Sequence, residues 1–174
     1  MAGKGLLRLT PFRNAVHSAA PVARSDVLTG VGNQLAWDEA LQLLQHDLRA
    51  AGKPHSIVLV DVDHFDLTND RHGQALRDEL LRAVAGTLRA VVRGDDVVAR
   101  IGGDEFAILM RDTDAASCLE RVERLRSALD ESYLPSGHPV AAALGYGTMP
   151  PARSLRAAQE DADARLNEAK AMRA

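Results

Sequence analysis

The sequence predicts an α+β fold in which helices wrap a mainly antiparallel sheet of about five strands, a ferredoxin-like layout. Three observations predict it. Apolar residues recur at helical spacing in four segments, short β-branched runs lie between those segments, and a Gly-Gly pair separates two apolar runs in a way typical of a hairpin. The resulting order is helix, strand, helix, hairpin, helix, strand, helix.

The first half of the chain contains a leader, two helices and a strand. Residues 1–25 are basic and weakly patterned, and we interpret them as a leader or linker before one domain at 26–174. The turn sequence LTGVGN then precedes a helix, which ends near Gly52 and is marked by Trp37, Leu41, Leu44 and Leu48. A strand is predicted over Ser56–Asp63. The second helix stops near Gly94 and is marked by Leu76, Leu80, Val84 and Leu88.

The second half starts with the hairpin. Its strands are predicted at Val97–Ile101 and about Glu105–Met110, joined by a type I′ turn at Gly102-Gly103, because that turn needs positive φ at both central residues. The remaining elements are a helix, a strand and a helix at Ala115–Asp130, Pro139–Gly147 and Ser154–Arg173.

Composition narrows the class of function. Hydrophobic residues make up 46% of the chain, which is enough for a core, and the net charge of −3 argues against non-specific nucleic-acid binding. No apolar run approaches the roughly 18 residues of a membrane span, so we expect no membrane insertion. The single Cys118 allows no internal disulfide and fits a reducing, cytoplasmic compartment. Because it lies on the apolar face of a helix, we expect a packed thiol.

Acidic residues stand at two predicted strand ends. Asp61 and Asp63 end the first strand, and Asp104 and Glu105 follow the Gly-Gly pair. If these strands are neighbours, Asp61 and Asp104 converge, and Mg²⁺ is often held by one or two carboxylates together with substrate phosphates. Alternation places Asp104 and Glu105 on opposite faces, which favours Asp104 as the ligand. The alternative for Asp63 is a helix cap.

Four blocks then occur in series: DVLTGVGN, DVDHFDLTNDRHG, RGDDVVARIGGDEF and ADARLNEAK. With these blocks the chain resembles the GGDEF domain, the catalytic module of diguanylate cyclases, from about Asp26 to Lys170. The resemblance implies a sheet and helices arranged as in a polymerase palm. It also implies that two GTP molecules condense to cyclic di-GMP with release of pyrophosphate, in a Mg²⁺- or Mn²⁺-dependent homodimer.

The resemblance assigns roles residue by residue. The metal ligands are Asp61, the Val62 carbonyl and Asp104, and the catalytic acids are Asp104 and Glu105. The substrate-binding residues are Phe65, Asn69, Asp78, Gly102, Gly103 and Lys170, with Asn69 and Asp78 reading the guanine edge. The inhibitory site for cyclic di-GMP comprises Arg93, Asp96 and Arg124, although an ordinary surface ion pair is the alternative for Arg93 and Asp96.

Several positions depart from the family pattern, namely Asp66, Gln74, Arg77, Asn167 and Ala174. Arg77 replaces a glycine, and its side chain either crowds the guanine beside Asp78 or turns outward. These departures keep open a second function, a catalytically degenerate domain that binds cyclic di-GMP or GTP as a signalling module. A scaffold that uses neither site is a third. The family pattern also implies an upstream sensor or a partner protein that pairs two copies.

Overall fold

The computed structural model describes residues 23–63, 71–150 and 153–173. Most of the predicted leader, 1–22, lies outside these residues, and so do Phe65, Asp66, Asn69 and Ala174. The roles assigned to those residues, and the boundary between leader and domain, therefore stay predictions.

The described residues follow the predicted order of elements. The helices are α1 (Gln34–Ala51), α2 (Arg71–Val91), α3 (Ala115–Asp130) and α4 (Leu155–Ala171). The strands are β1 (His55–Val62), β2 (Val97–Arg100), β3 (Glu105–Met110) and β4 (Ala142–Met149). They form one antiparallel sheet in the order β2-β3-β1-β4. The described part of the chain thus has four strands where the sequence predicts about five, and Tyr133 and Pro139, which precede β4, form an isolated bridge with each other.

The two faces of the sheet bury two separate helical layers. Successive residues of a strand point to opposite faces, so Val58 and Val60 of β1 pack with α2 and α3, while Ile57 packs with α1 and α4. Cys118 is buried in the first layer among apolar residues of α3, as predicted. Burial raises the pKa of its thiol.

Local signals in the sequence set the ends of α1. Asn33 caps its N-terminus by accepting the Ala36 N–H at 3.1 Å, and Gly52 ends it with a left-handed φ of 61°. Since both ends are defined by residues with those specific preferences, the helix coincides with the predicted segment.

The turn between β2 and β3 differs from the prediction. The expected type I′ turn is wrong, because the glycines with positive φ in the described residues are Gly30, Gly52 and Gly137. Residues 101–104 connect the strands, and the Ile101 N–H donates to the Glu105 carbonyl at 2.9 Å. A four-residue connection does not need the two left-handed positions of a two-residue turn.

None of the helices in the described residues combines the length and the apolar content that crossing a bilayer would require.

Candidate functional site

The acidic ends of β1 and β3 lie side by side at one edge of the sheet. Asp61 stands directly opposite Glu105 in the antiparallel register, and the Val62 N–H donates to the Asp104 carbonyl at 3.0 Å. The two strands are therefore neighbours, as the sequence predicts, but the residue opposite Asp61 is Glu105 and not Asp104. The backbones of these residues and of Val62 lie side by side at this edge.

The side chains of Asp61 and Asp104 start from opposite faces of the sheet. Asp61 lies on the same face of β1 as Ile57, which packs with α1 and α4. Its Oδ2 is 2.6 Å from the Lys170 Nζ of α4. Asp104 lies opposite Val62, which faces α2 and α3, and its carboxylate binds Arg77 of α2. Each layer of helices therefore supplies one base to one acid.

The contact between Arg77 and Asp104 is bidentate. The Arg77 Nε donates to Asp104 Oδ1 at 2.9 Å, and Nη2 lies 2.8 Å from both oxygens of that carboxylate. A Cβ on Gly103 would lie 3.3 Å from the same Nη2, so the guanidinium rests against the Gly-Gly turn. The structure thus shows a third placement of Arg77, different from the two that the sequence leaves open.

A second acid of α2 is also held by a neighbouring residue. Gln74 donates its side-chain N–H to Asp78 Oδ1 at 2.7 Å, one helical turn along α2. Asp78 is half-buried. Its predicted partner in guanine recognition, Asn69, lies outside the described residues.

The glycines of β4 bring α4 close enough for Lys170 to reach Asp61. A Cβ on Gly145 would lie 2.1 Å from the Ala162 carbonyl oxygen, and one on Gly147 would lie 1.9 Å from that of Ala158. The helix backbone therefore packs directly on the strand, which only glycine permits. The same helix is followed by Arg173, whose Nη1 binds Asp63 Oδ2 at 2.8 Å.

Arg100 holds the Gly-Gly turn in place, a role that the sequence alone does not single out. Its Nη2 donates to the Gly103 carbonyl at 2.6 Å, and its Nη1 lies 3.3 Å from both oxygens of Asp26. Burial tends to raise the pKa of Asp26, but hydrogen bonds from Thr29 and the Arg100 charge outweigh it and hold that pKa below its usual range. The signal was available, since both partners lie in blocks that carry the family resemblance.

Gly102 keeps room for the side chain of Glu105. A Cβ at position 102 would lie 2.6 Å from Glu105 Oε2. Glu105 itself is exposed. The Gly-Gly pair therefore lets the side chains of Glu105 and Arg77 approach the backbone of the turn.

Residues 93–96 (RGDD), called the RxxD motif after Arg93 and Asp96, form a compact loop before β2. The Asp96 carboxylate accepts the Arg93 N–H at 2.8 Å and the Arg111 N–H at 3.2 Å, and it forms an ion pair with Arg121 of α3. The Asp96 side chain has 0% of its surface exposed and that of Arg121 has 8%. This buried pair ties the motif to α3, and nothing in the spacing of the motif indicates Arg121 as its partner.

Arg93 is exposed and lines a depression of about 380 Å³ together with Arg89 and residues of the turn at 30–32. Arg124 lines a second groove, which shares Val92 with the first. The structure therefore brings Arg93 and Asp96 together and places Arg124 in a neighbouring groove.

The donors at the sheet edge suit a hard divalent cation. Asp61 and Asp104 offer carboxylate oxygens and Val62 a backbone carbonyl, and Mg²⁺ prefers oxygen donors with few protein ligands. No cluster of three or more His, Cys, Asp or Glu side chains suited to a metal occurs in 23–63, 71–150 or 153–173. The donor set thus fits a cation that completes its coordination on substrate phosphates.

Comparison with known proteins gives consistent matches. A family model described as "Diguanylate cyclase, GGDEF domain" matches residues 23–174. The "Probable diguanylate cyclase DgcC" of Escherichia coli K12 is 33% identical over 125 residues, which cover 72% of this chain. The chain spans only 34% of the length of that relative.

Two solved structures resemble the fold. The GGDEF domain of DgcB from Caulobacter crescentus, in complex with c-di-GMP, superposes with a TM-score of 0.75 at 27% identity, covering 85% of this chain and 90% of that one. The diguanylate cyclase SiaD of Pseudomonas aeruginosa, in complex with its activator SiaC, gives a TM-score of 0.76 at 26% identity, covering 85% and 58%.

Proposed function

Because the chain belongs to the diguanylate cyclase GGDEF-domain family, we propose that it condenses two GTP molecules into cyclic di-GMP and releases two pyrophosphates. The reaction requires two subunits, each holding one GTP, so that the 3′-hydroxyl of one nucleotide attacks the α-phosphorus of the other. The active species is then a homodimer.

The observation that carries this proposal is the edge formed by β1 and β3. The pairing of Asp61 with Glu105 and the bond from Val62 to Asp104 place these four residues side by side at one edge of the sheet, with the Gly-Gly turn beside them. Phosphoryl transfer relies mainly on positioning and on neutralising phosphate charge. An edge that offers carboxylates for a cation and a backbone for phosphates meets both needs.

Each residue then has a defined task. Asp61, Val62 and Asp104 hold Mg²⁺ or Mn²⁺, which neutralises the phosphates and polarises the phosphorus when bound. Asp104 or Glu105 accepts the proton of the attacking hydroxyl. Gly102 and Gly103 admit the phosphates close to the backbone, and Lys170 donates to them. Asn69 and Asp78 read the guanine edge, and Phe65 contributes to substrate binding.

We propose that cyclic di-GMP inhibits the enzyme at the RxxD loop. The exposed Arg93 guanidinium and that of Arg124 suit the phosphates of the product. Asp96 fixes the backbone at Arg93, since its carboxylate accepts the Arg93 backbone N–H. Partner control is a further part of the proposal. A protein seated upstream or bound in trans, as the activator SiaC is bound to SiaD, would pair two cytoplasmic copies of this domain.

A second candidate function is a binding module without turnover. One observation favours it: two residues that depart from the family pattern bind acidic side chains of the site. Arg77 binds Asp104 and Gln74 binds Asp78. A domain in which these contacts persist would retain nucleotide or cyclic di-GMP binding and lose the reaction.

The deciding experiment is synthesis of cyclic di-GMP by the purified protein. Concentrated protein is incubated with GTP and Mg²⁺, and product is followed by chromatography for the wild type, Asp104→Asn and Arg82→Gln. Arg82 is exposed on α2, so the last variant is a surface-substitution control outside the candidate site. We expect product from the wild type and Arg82→Gln and none from Asp104→Asn. Absence of product from the wild type, together with cyclic di-GMP binding by calorimetry, would establish the second function instead.

A further inference from the structure

We propose that Arg77 is an internal counter-cation that occupies Asp104 and competes with the divalent metal ion for this carboxylate. The proposal rests on the function proposed above, because the metal ion is the one that Asp61 and Asp104 would share. It adds a residue that sets the affinity for that ion.

Arg77 and Asp104 form a bidentate ion pair with short contacts. All three contacts of the fork lie between 2.8 and 2.9 Å, and both carboxylate oxygens are engaged. The Asp104 side chain is only 17% exposed and that of Arg77 36%, so water screens the pair only in part. Bidentate pairs of this kind are stronger than single contacts with lysine.

Each of the two candidate ligand carboxylates has a cationic partner. Asp61 is paired with Lys170 and Asp104 with Arg77, so the two carboxylates face two cations. A divalent ion that bound an oxygen of Asp104 would therefore compete with the guanidinium for that carboxylate. Removing the charge of Arg77 leaves this group of four with a net charge of −1, which attracts a cation.

The competing cation is built into the fold. Arg77 lies in α2, which is anchored in the core by Leu80 and Leu81. The packing of α2 therefore holds the competing guanidinium next to Asp104 in the folded domain.

A direct titration with Mn²⁺ in the absence of nucleotide tests the proposal. Free Mn²⁺ is measured by electron paramagnetic resonance for the wild type, Arg77→Gln, Arg82→Gln and Asp104→Asn. We expect Arg77→Gln to bind Mn²⁺ about three- to tenfold more tightly than the wild type, as expected for loss of one partly screened ion pair. Arg82→Gln should match the wild type. Arg77→Lys keeps the charge without the fork, and its affinity should lie between.

The outcomes separate this proposal from the function itself. If Mn²⁺ binding depends on Asp104 but Arg77→Gln is no tighter than the wild type, the competition by Arg77 is refuted and the metal site stands. If Asp104→Asn leaves Mn²⁺ binding unchanged, the metal site is misassigned and both proposals fail. Thermal unfolding of each variant, followed by circular dichroism, shows that the compared proteins are folded.

Discussion

Replacing Gly145 by alanine tests how closely α4 packs on the sheet. The Cβ of an alanine would lie 2.1 Å from the Ala162 carbonyl oxygen and 2.4 Å from the Leu166 nitrogen. Carbon and its non-bonded neighbours pack at about 3.5–4.0 Å, so the helix backbone would have to move by about 1 Å or more. No side-chain rotation can relieve this clash, because both contacts are backbone atoms.

The expected cost follows from that displacement. Overpacking of a core typically destabilises a protein by about 1–3 kcal/mol, and a clash with a helix backbone belongs at the upper end. A loss of about 3 kcal/mol corresponds to a fall in Tm of about 6–12 °C for a protein of this size. Because α4 carries Lys170, the variant should also loosen the contact with Asp61.

The measurement is urea and thermal unfolding followed by circular dichroism, with Gly86→Ala as the matched control. Gly86 lies within α2, and an added Cβ there meets nothing within 4 Å. Alanine is favoured over glycine in a helix by about 1 kcal/mol, so this control should raise Tm. A Gly145→Ala protein as stable as the wild type would refute the packing argument.

Three more predictions concern the turn, the inhibitory loop and a helix cap. Thr29 and Arg100 hold the pKa of Asp26 below its usual range, against the effect of burial. The ionised Asp26 carboxylate therefore stabilises the fold above its unfolded pKa of about 3.9, and this stabilisation is lost as the pH falls through the folded pKa. The free energy of unfolding, measured with urea at several pH values, should therefore fall less steeply on acidification in Asp26→Asn than in the wild type. Arg93→Ala should raise the cyclic di-GMP concentration for half-inhibition about tenfold with an unchanged initial rate, and an unchanged inhibition curve would contradict its role. Asn33→Ala should cost about 1 kcal/mol in urea unfolding by removing the cap of α1, and no loss would show that the cap is dispensable.

Local chemistry made most of the fold predictable from the sequence. The order of the eight elements is as predicted, and α3 coincides with its predicted segment, because apolar periodicity and the preceding Asp114 cap both define it. The hairpin was also predicted, although its turn type was wrong. A Gly-Gly pair indicates a reversal of the chain, but the length of the connection depends on the register of β2 and β3.

The partners of the charged side chains could not be predicted in the same way. The resemblance assigns Asp96 to the cyclic di-GMP site, and the structure adds that its carboxylate is buried against Arg121, which lies 25 residues away in sequence. Similarly, Arg77 reaches Asp104 across 27 residues. Such pairings depend on how α2 and α3 pack over the sheet, and a pattern of spacing along the chain carries no information on that geometry.

The sheet separates the two bases that hold the candidate metal ligands. Lys170 reaches Asp61 from α4, while Arg77 reaches Asp104 from α2 on the other face. Because the helices belong to different core layers, a change in the packing of α4 acts on Asp61 without touching the contact of Asp104. A divalent ion held by both carboxylates would compete with both bases. Its affinity would then depend on the packing of both layers, through Lys170 of α4 and Arg77 of α2.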